Sequence, residues 1–316
     1  MPREIVRKGR GVNGQGGGRR PARSRRAPEF LVAPKPEDPQ LTRQLDGSNE
    51  YGERVAVRVP VECPLTVFLN GREIVTMMTI GDHPDWLAVG YLLNQNMLRP
   101  DDQIAAIDHD DVIDTIVVRT KRRTDYEAKL RKKTLTSGCA QGTAFGDVME
   151  NFERSRLPEN AVLKTSWLYA LLRKINSRPS LYLSAGAIHG CVLCQGDRPL
   201  LYLEDVGRHN AVDKICGYMH LHQVPGGDKV FYTTGRLTSE MVIKCASMGI
   251  PILVSRSGFT SWGVELARAV GLTLLGRARG HRFLVLSGVE RVVYDADPRH
   301  TPKEAEGRQR QAAGED

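Results

Sequence analysis

One cysteine stands in a sequence context that could support sulfur chemistry. Cys139 lies in a run of small and hydroxyl residues, 134–143, directly after the basic residues Arg131, Lys132 and Lys133. A thiol is reactive when a partner can reach it and when nearby cations stabilise its thiolate form. The alternative is a small buried apolar side chain, because free cysteine is among the most buried residue types. The local sequence is compatible with both interpretations.

Three glycine-containing segments form a second set of candidates, this time for anion binding. They are residues 234–239, 255–258 and 276–282, and each follows a predicted strand. Glycine lets a backbone approach a ligand closely, and guanidinium groups bind phosphate bidentately. If the strands are parallel, these loops meet at one edge of the sheet, where ligands of open α/β sheets bind. The pattern predicts a phosphate-bearing ligand, and the alternative is a solvated basic rim. Candidate phosphate contacts are Arg236, Arg256, Arg277, Arg279 and Arg282.

The polar segment 204–214 precedes an apolar helix pattern and has two interpretations. Asp205, His209 and Asp213 are spaced by four, so on a helix they would share a face and could form a proton relay or a metal corner. Alternatively, Asp205 caps the helix, Arg208 and Lys214 pair with acids, and His209 packs as a buried ring. His189, further upstream, is expected to be a packed polar residue.

The six cysteines do not form a disulfide or zinc pattern. Cys191 and Cys194 make one CxxC, but a four-thiolate zinc site needs a second pair, which the sequence lacks. Their apolar neighbours Val192 and Leu193 predict core packing. We find no export signal and no P-loop, so reduced thiols are expected and nucleotide hydrolysis is not indicated.

The positive charge is concentrated at one end of the chain. The net charge is +8, and residues 1–28 hold nine Lys or Arg against one acidic residue, so the remaining residues are balanced. Residues 1–47 are predicted to be a disordered basic tail. Nucleic-acid binding is therefore not indicated for the body of the protein. No apolar run approaches the ~18 residues of a membrane span, and we expect a soluble, cytoplasmic protein.

The elements that must position these residues fall into two groups. Residues 48–133 predict an α+β subdomain with an Asn70–Gly71 hairpin, a helix capped by Asp82 and a strand over 110–119. Residues 134–161 carry Cys139 and a connecting helix. Residues 162–296 alternate strands and helices, which predicts a largely parallel sheet with helices on both faces. Residues 297–316 are predicted to be a flexible tail. The predicted strands are 180–183, 200–203, 229–233, 251–254, 272–275 and 283–287, and the predicted helices are 164–176, 239–248, 261–270 and one ending near His220.

With these segments in place, the chain resembles the formate dehydrogenase accessory sulfurtransferase family, FdhD. The resemblance runs from about Val57 to about Leu286. Its most specific motifs are EDVGRHNAVDK at 204–214, TGR at 234–236, GIP at 249–251 and VELA at 264–267.

The resemblance implies a three-layer α/β/α domain with the cytidine deaminase-like fold. It also implies a persulfide relay in which a cysteine desulfurase loads Cys139. The sulfur would then pass to the molybdenum bis-pyranopterin guanine dinucleotide cofactor for the formate dehydrogenase catalytic subunit. The implied partners include a second copy, giving a homodimer. The implied cofactor-binding stretch is Arg277, Ala278, Arg279, Gly280, His281 and Arg282.

One departure from the family pattern sharpens the expected mechanism. Many relatives have CxxC at the sulfur-carrying loop, whereas here the second position is Gly142. A disulfide within that loop is therefore excluded, and Cys139 must act alone. Zinc deaminase chemistry is not indicated, because Gly190 and Cys191 follow His189 where an H-x-E element would place glutamate. A chaperone that binds the cofactor without transferring sulfur remains an alternative.

Overall fold

A computed structural model describes residues 29–122, 149, 152 and 155–299 of the chain. The N-terminal half of this part builds a four-stranded sheet of order β4-β3-β6-β5. Its strands are β3 (Cys63–Leu69), β4 (Arg72–Thr79), β5 (Ile104–Asp110) and β6 (Thr115–Thr120).

The predicted hairpin between β3 and β4 is confirmed. Asn70 and Gly71 both have positive φ, 51° and 85°, as a two-residue hairpin turn requires. The strand predicted over residues 110–119 is wrong in its bounds. That stretch contains the end of β5, a turn and most of β6, because Asp110 Oδ1 accepts from Val112 N at 3.0 Å and closes the turn.

Helix α1 (Pro84–Asn94) covers this small sheet, but its predicted cap is wrong. The residue before the helix is His83, in the left-handed region, and no side-chain cap bond is formed. Asp82 instead contacts the ammonium group of Lys214. The Asp82 carboxylate therefore pairs with a buried cation that is distant in sequence, and local sequence does not reveal this partner.

The C-terminal half builds a six-stranded sheet of order β13-β12-β11-β10-β8-β9. Its strands are β8 (His189–Gln195), β9 (Arg198–Asp205), β10 (Val230–Thr233), β11 (Ile252–Ser255), β12 (Thr273–Arg279) and β13 (Arg282–Ser287). The prediction of a largely parallel sheet is wrong. The β10–β11 and β11–β12 pairs are parallel, whereas β8 and β13 run antiparallel to their neighbours. Tight turns join β8 to β9 and β12 to β13, and a short turn can only reverse the chain.

Helices cover both faces of the large sheet, as predicted. Helix α2 packs on one face, and three further helices pack on the other. The helices are α2 (Thr165–Ser177), α3 (Leu181–Ser184), α4 (Arg208–Leu221), α5 (Ser239–Ser247) and α6 (Ser261–Ala269). The mixed α/β architecture is thus established, while the cytidine deaminase-like fold and the exact domain boundaries stay predictions.

Helix α3 replaces the strand that was predicted over residues 180–183. Ser180 caps it, since its hydroxyl accepts from Leu183 N at 3.3 Å. The buried carboxylate of Glu204 accepts from Leu181 N and Tyr182 N, both at 2.8 Å. A helical turn therefore forms where the apolar pattern favoured a strand.

Residues 29–47, predicted to be disordered, are ordered. Leu31 N donates to Leu200 O at 2.7 Å, and Tyr202 N donates to Val32 O at 3.0 Å. Strand β1 (Thr42–Ser48) pairs with β2 (Arg54–Pro60). The prediction of a disordered tail is wrong for these residues. Their main chain forms hydrogen bonds with β9 and β2, and the composition of the segment did not indicate this pairing. Residues 1–28 and 300–316 lie outside the described residues.

The two halves meet where α1 crosses α4. A Cβ on Gly90 would lie 1.8 Å from Asp213 O, and one on Gly217 would lie 1.9 Å from Trp86 O. Only glycine permits this approach. Two short strands, β7 (Leu163–Lys164) and β14 (Val292–Val293), pair beside α2. Among the described residues, no helix combines the length and apolar character needed to cross a bilayer.

Candidate functional site

The carboxyl ends of β9, β10, β11 and β12 meet at one edge of the large sheet. These strands point the same way, because β8 is antiparallel to both β9 and β10, and β10, β11 and β12 pair in parallel. The antiparallel strands β8 and β13 begin at that same edge, at His189 and Arg282. All the predicted phosphate contacts therefore lie along this edge.

Hydrogen bonds tie the successive loops of this edge together. Arg256 N donates to Thr233 O at 3.2 Å, and Arg277 N donates to Ser257 O at 2.7 Å. The buried hydroxyl of Ser255 donates to Gly235 O at 2.5 Å. The backbone of the edge is thus fixed from β10 to β12, and the arginine side chains project from a rigid support.

Arg236 and Arg256 occupy different environments at the edge. Arg236 is exposed, and Arg256 is half-buried. The Arg256 guanidinium lies 5.8 Å from the ring centroid of Tyr182, which α3 presents to it. This aromatic contact restrains a cation without neutralising it.

The third predicted loop, 276–282, is wrong as a loop. Most of it is the end of β12, and β13 begins at Arg282. The ladder shifts register between Gly276 and Arg279, and Arg277 adopts a φ of 54°. This bulge lies where the aromatic ring of Phe259 covers Gly276, within 2.5 Å of where a Cβ would stand. Arg277, Arg279 and Arg282 are exposed.

The other members of that hairpin face away from the open edge or form its turn. Ala278 is 1% exposed and packs in the core beneath α2. Gly280 takes a φ of 54° at the turn. The ring of His281 lies 4.7 Å from that of Tyr169. Of this stretch, the arginines are the side chains that solvent reaches most readily.

The guanidinium groups of this edge are not neutralised within the described part of the chain. None of Arg208, Arg236, Arg256, Arg277, Arg279 or Arg282 forms an ion pair with a described carboxylate. Uncompensated cations from successive loops create a positive field that attracts anionic ligands.

The structure adds Arg208 and His189 to the candidates. Arg208, which was expected to pair with an acid, begins α4 and packs its Cβ and Cδ over Gly235. Burial, together with nearby Arg208, His209 and Arg236, lowers the pKa of His189. The three candidate loops were identified by a repeated pattern of glycine and arginine. Arg208 and His189 lie outside that pattern, so sequence reasoning did not place them together with the other candidates.

The predicted relay of Asp205, His209 and Asp213 does not form on one helix face. Asp205 ends β9 and is fully buried, where its Oδ1 accepts from Gly207 N at 3.2 Å. His209 Nε2 lies 3.0 Å from Glu240 Oε2 instead. Burial lowers the pKa of His209, although Glu240 opposes that shift. Asp213 accepts from Lys244 Nζ at 2.8 Å.

Cys191 and Cys194 are core residues, as predicted. Both are 0% exposed within β8. Burial raises the pKa of Cys191 to about 12 and also raises that of Cys194. These thiols stay protonated and inaccessible, which makes them poor nucleophiles. No described group of residues has the composition and proximity of a metal site.

The predicted sulfur carrier, Cys139, lies outside the described residues, as do Arg131, Lys132 and Lys133. The part of the candidate site that the structure describes is therefore the arginine-lined sheet edge.

A family model described as the FdhD/NarQ family matches residues 60–293. The chain belongs to the FdhD/NarQ family. Sulfur carrier protein FdhD of Bacillus pumilus is 28% identical over 232 residues, covering 73% of this chain and 88% of the relative. Sulfur carrier protein FdhD of Listeria innocua is 29% identical over 243 residues, covering 76% and 93%.

A solved structure supports the same assignment of this FdhD/NarQ family member. The crystal structure of a putative formate dehydrogenase accessory protein from Desulfotalea psychrophila matches with a TM-score of 0.64 and 28% identity. The match covers 80% of this chain and 98% of that chain. The predicted family is confirmed, and the mixed α/β architecture is shared.

Proposed function

We propose that this protein is a sulfur carrier that transfers persulfide sulfur from a cysteine desulfurase to the molybdenum bis-pyranopterin guanine dinucleotide cofactor. The sulfurated cofactor would then serve a formate dehydrogenase catalytic subunit. The observation that carries the proposal is the row of un-neutralised arginines along one sheet edge, in a family whose relatives are named sulfur carrier proteins.

Phosphate recognition is the part of this function that the described residues support. Each guanine dinucleotide end carries a pyrophosphate, which matches planar guanidinium donors in both charge and geometry. Arg256 follows β11, and Arg277 and Arg279 lie at the end of the adjacent parallel strand β12, so one extended anion can contact several of them. The rigid backbone of the edge reduces the ordering cost of binding.

In the proposed relay, Cys139 both accepts sulfur from the donor and delivers it. The Cys139 thiolate attacks the terminal sulfur of the donor persulfide; the donor's S–S bond breaks, and the donor cysteine leaves as a thiolate. Cys139-S-SH is the product. Delivery as sulfide consumes two electrons, which two external thiols supply as they form a disulfide, regenerating Cys139. Arg131, Lys132 and Lys133 would stabilise the thiolate, in the reducing cytoplasm.

The alternative is a chaperone that binds cofactor without carrying sulfur, and one comparison separates the two. Cells lacking the native protein would express wild type, Cys139→Ser or Cys63→Ser, and formate dehydrogenase activity would be assayed. The sulfur relay predicts that Cys139→Ser loses activity and still binds GDP, a fragment of the cofactor. Cys63 is a matched control, because it is a half-buried thiol beside acidic residues. Full activity with Cys139→Ser would support the chaperone instead.

The formation of a homodimer stays a prediction.

A further inference from the structure

Arg208 is a half-buried cation, and two of its buried donor atoms are not used within the described part of the chain. Its Nε and Nη2 atoms are covered, and neither has a hydrogen-bond partner there. A buried donor without an acceptor destabilises the folded protein, and more strongly when it is charged. Native proteins retain such a group where a ligand or water supplies the missing acceptor.

The acids close to Arg208 in sequence are already engaged. Asp205 Oδ2 lies 2.6 Å from Lys214 Nζ and accepts from Thr79 Oγ1 at 2.6 Å. Glu204 accepts from Leu181 N and Tyr182 N, and Asp213 accepts from Lys244 Nζ at 2.8 Å. The positive charge of Arg208 is therefore available for an anion from outside the described residues.

The surroundings of Arg208 favour an anion. The helix α4 begins at Arg208, and its N-cap, Gly207, has no side chain to accept from the first-turn N–H groups. Such N–H groups and the helix dipole favour negative charge. Arg208 and Arg236 are both close enough to His189 for their charges to act on its ring. Arg208 also packs over Gly235, the neighbour of Arg236, so two cations from successive loops lie near His189 at the sheet edge.

We propose that Arg208, His189 and Arg236 form a second phosphate-binding subsite, separate from that of the β12–β13 hairpin. The inference rests on the proposed function and extends it by assigning these residues to a pyrophosphate group of the dinucleotide. His189 begins β8, three strands from β12 in the sheet order. At ~4.8 Å per strand that is about 14 Å, too far for a single phosphate to bridge. The two subsites therefore contact different groups of one ligand.

Gly235 leaves the space that this arrangement requires. A Cβ at that position would lie 3.2 Å from Arg208 Cδ. Because the Nε and Nη2 atoms are covered by protein atoms, we expect the guanidinium to turn outward when phosphate binds. Its aliphatic stem can remain packed on Gly235 during that rotation.

The experiment is calorimetric titration of the full-length protein with GDP, inorganic pyrophosphate and guanosine. Arg208→Ala should weaken both GDP and pyrophosphate binding by the same factor, about 10- to 100-fold, as expected for the loss of charge-assisted hydrogen bonds. Arg208→Lys keeps the charge and most of the stem, and it should give an intermediate loss. Guanosine binding should not change, whereas a merely structural role would lower the affinity for all three ligands. Arg198→Ala removes one charge at the opposite end of β9 and is the matched control.

Three outcomes decide between the claims. If Arg208→Ala and Arg208→Lys both bind GDP within twofold of wild type while Arg277→Ala/Arg279→Ala does not, the subsite is wrong and the proposed function stands. If Arg208→Ala weakens one of two GDP-binding steps per chain and Arg277→Ala/Arg279→Ala weakens the other, the subsites are separate, whereas two variants that weaken the same step contradict their separation. If GDP binds no more tightly than pyrophosphate and both depend on Arg208, the anion site stands and dinucleotide recognition fails.

Discussion

Lys214 Nζ lies 2.6 Å from Asp205 Oδ2, and neither side chain is exposed at all. The ammonium group also contacts Asp82 and donates to Glu204 O at 3.0 Å. Burial alone would lower the pKa of Lys214, but Asp205 and Asp82 outweigh it and raise that pKa. This network joins β9, α4 and the loop before α1, so it connects the two halves of the protein directly beneath the candidate site.

Removing the Lys214 ammonium group should therefore lower the stability of the folded protein. Lys214→Met leaves two carboxylates without their partner, and we expect the free energy of unfolding to fall by about 3–5 kcal/mol. Urea denaturation followed by circular dichroism measures this. Arg58→Ala, which breaks an exposed pair with Glu37, is the control and should cost at most about 1 kcal/mol. Equal losses in the two variants would contradict a structural role for the buried network.

The crossing of α1 and α4 makes a second prediction. Gly217→Ala places a Cβ 1.9 Å from Trp86 O, so the helices must separate. We expect a loss of about 3 kcal/mol or more, at the upper end of what overpacking costs. Gly47→Ala is the matched control, because nothing lies within 4 Å of the added carbon. A Gly217→Ala protein as stable as Gly47→Ala in thermal melts would refute this close approach.

Glu204 predicts a specific dependence of stability on pH. Burial raises the pKa of Glu204 to about 7, despite the backbone donors of Tyr182 and Leu181. Its unfolded pKa is about 4.3, so between these values the folded state binds the proton and the unfolded state does not. Stability from this group is present at low pH and is lost as pH rises toward 7.

The pH dependence is isolated by comparing wild type with Glu204→Gln, because other carboxylates act equally in both. The stability of wild type relative to the variant should fall by about 3 kcal/mol from pH 4.5 to 7 and then level off. Denaturant titrations across that range measure the difference. A difference that is constant, or that grows with pH, would show that Glu204 ionises normally.

The arginines of the β12–β13 hairpin should contribute directly to nucleotide binding. Arg277→Ala/Arg279→Ala removes two exposed guanidinium groups, and we expect GDP affinity to fall at least tenfold at low salt. Because exposed charges are screened, this loss should shrink as salt increases. The control Arg43→Ala/Arg54→Ala removes the same charge from the β1–β2 sheet. If both double variants bind GDP equally, the hairpin is not the site.

Sequence reasoning predicted the strands and turns that are determined by residues close together in the chain. The apolar runs of β9 to β12 and the Asn70–Gly71 turn were recognisable because burial and turn conformation depend on neighbouring residues. The short helix α3 was not, since a carboxylate from β9 stabilises its first turn. The strand β8 was missed, because the apolar residues around Cys191 and Cys194 predicted only core packing, and with it the antiparallel β8–β9 pair was missed.

The same division applies to the candidate site. Arg236, Arg256 and Arg277 were identified because each follows a predicted strand in a glycine-containing segment. Arg208 was not, since its local sequence offers the acids Asp205 and Asp213, which prove to be engaged with Lys214 and Lys244. Whether a charge is neutralised is a property of tertiary structure, and sequence spacing does not determine it.

The most direct test of the sulfur-carrier proposal is the covalent retention of sulfur. Purified wild type, Cys139→Ala and Cys63→Ala are incubated with a cysteine desulfurase and sulfur-labelled cysteine, and protein-bound label is counted before and after reduction by dithiothreitol. We predict about one reducible label per chain in wild type and Cys63→Ala, and none in Cys139→Ala, in keeping with persulfide chemistry. Full retention of reducible label by Cys139→Ala would contradict the proposal.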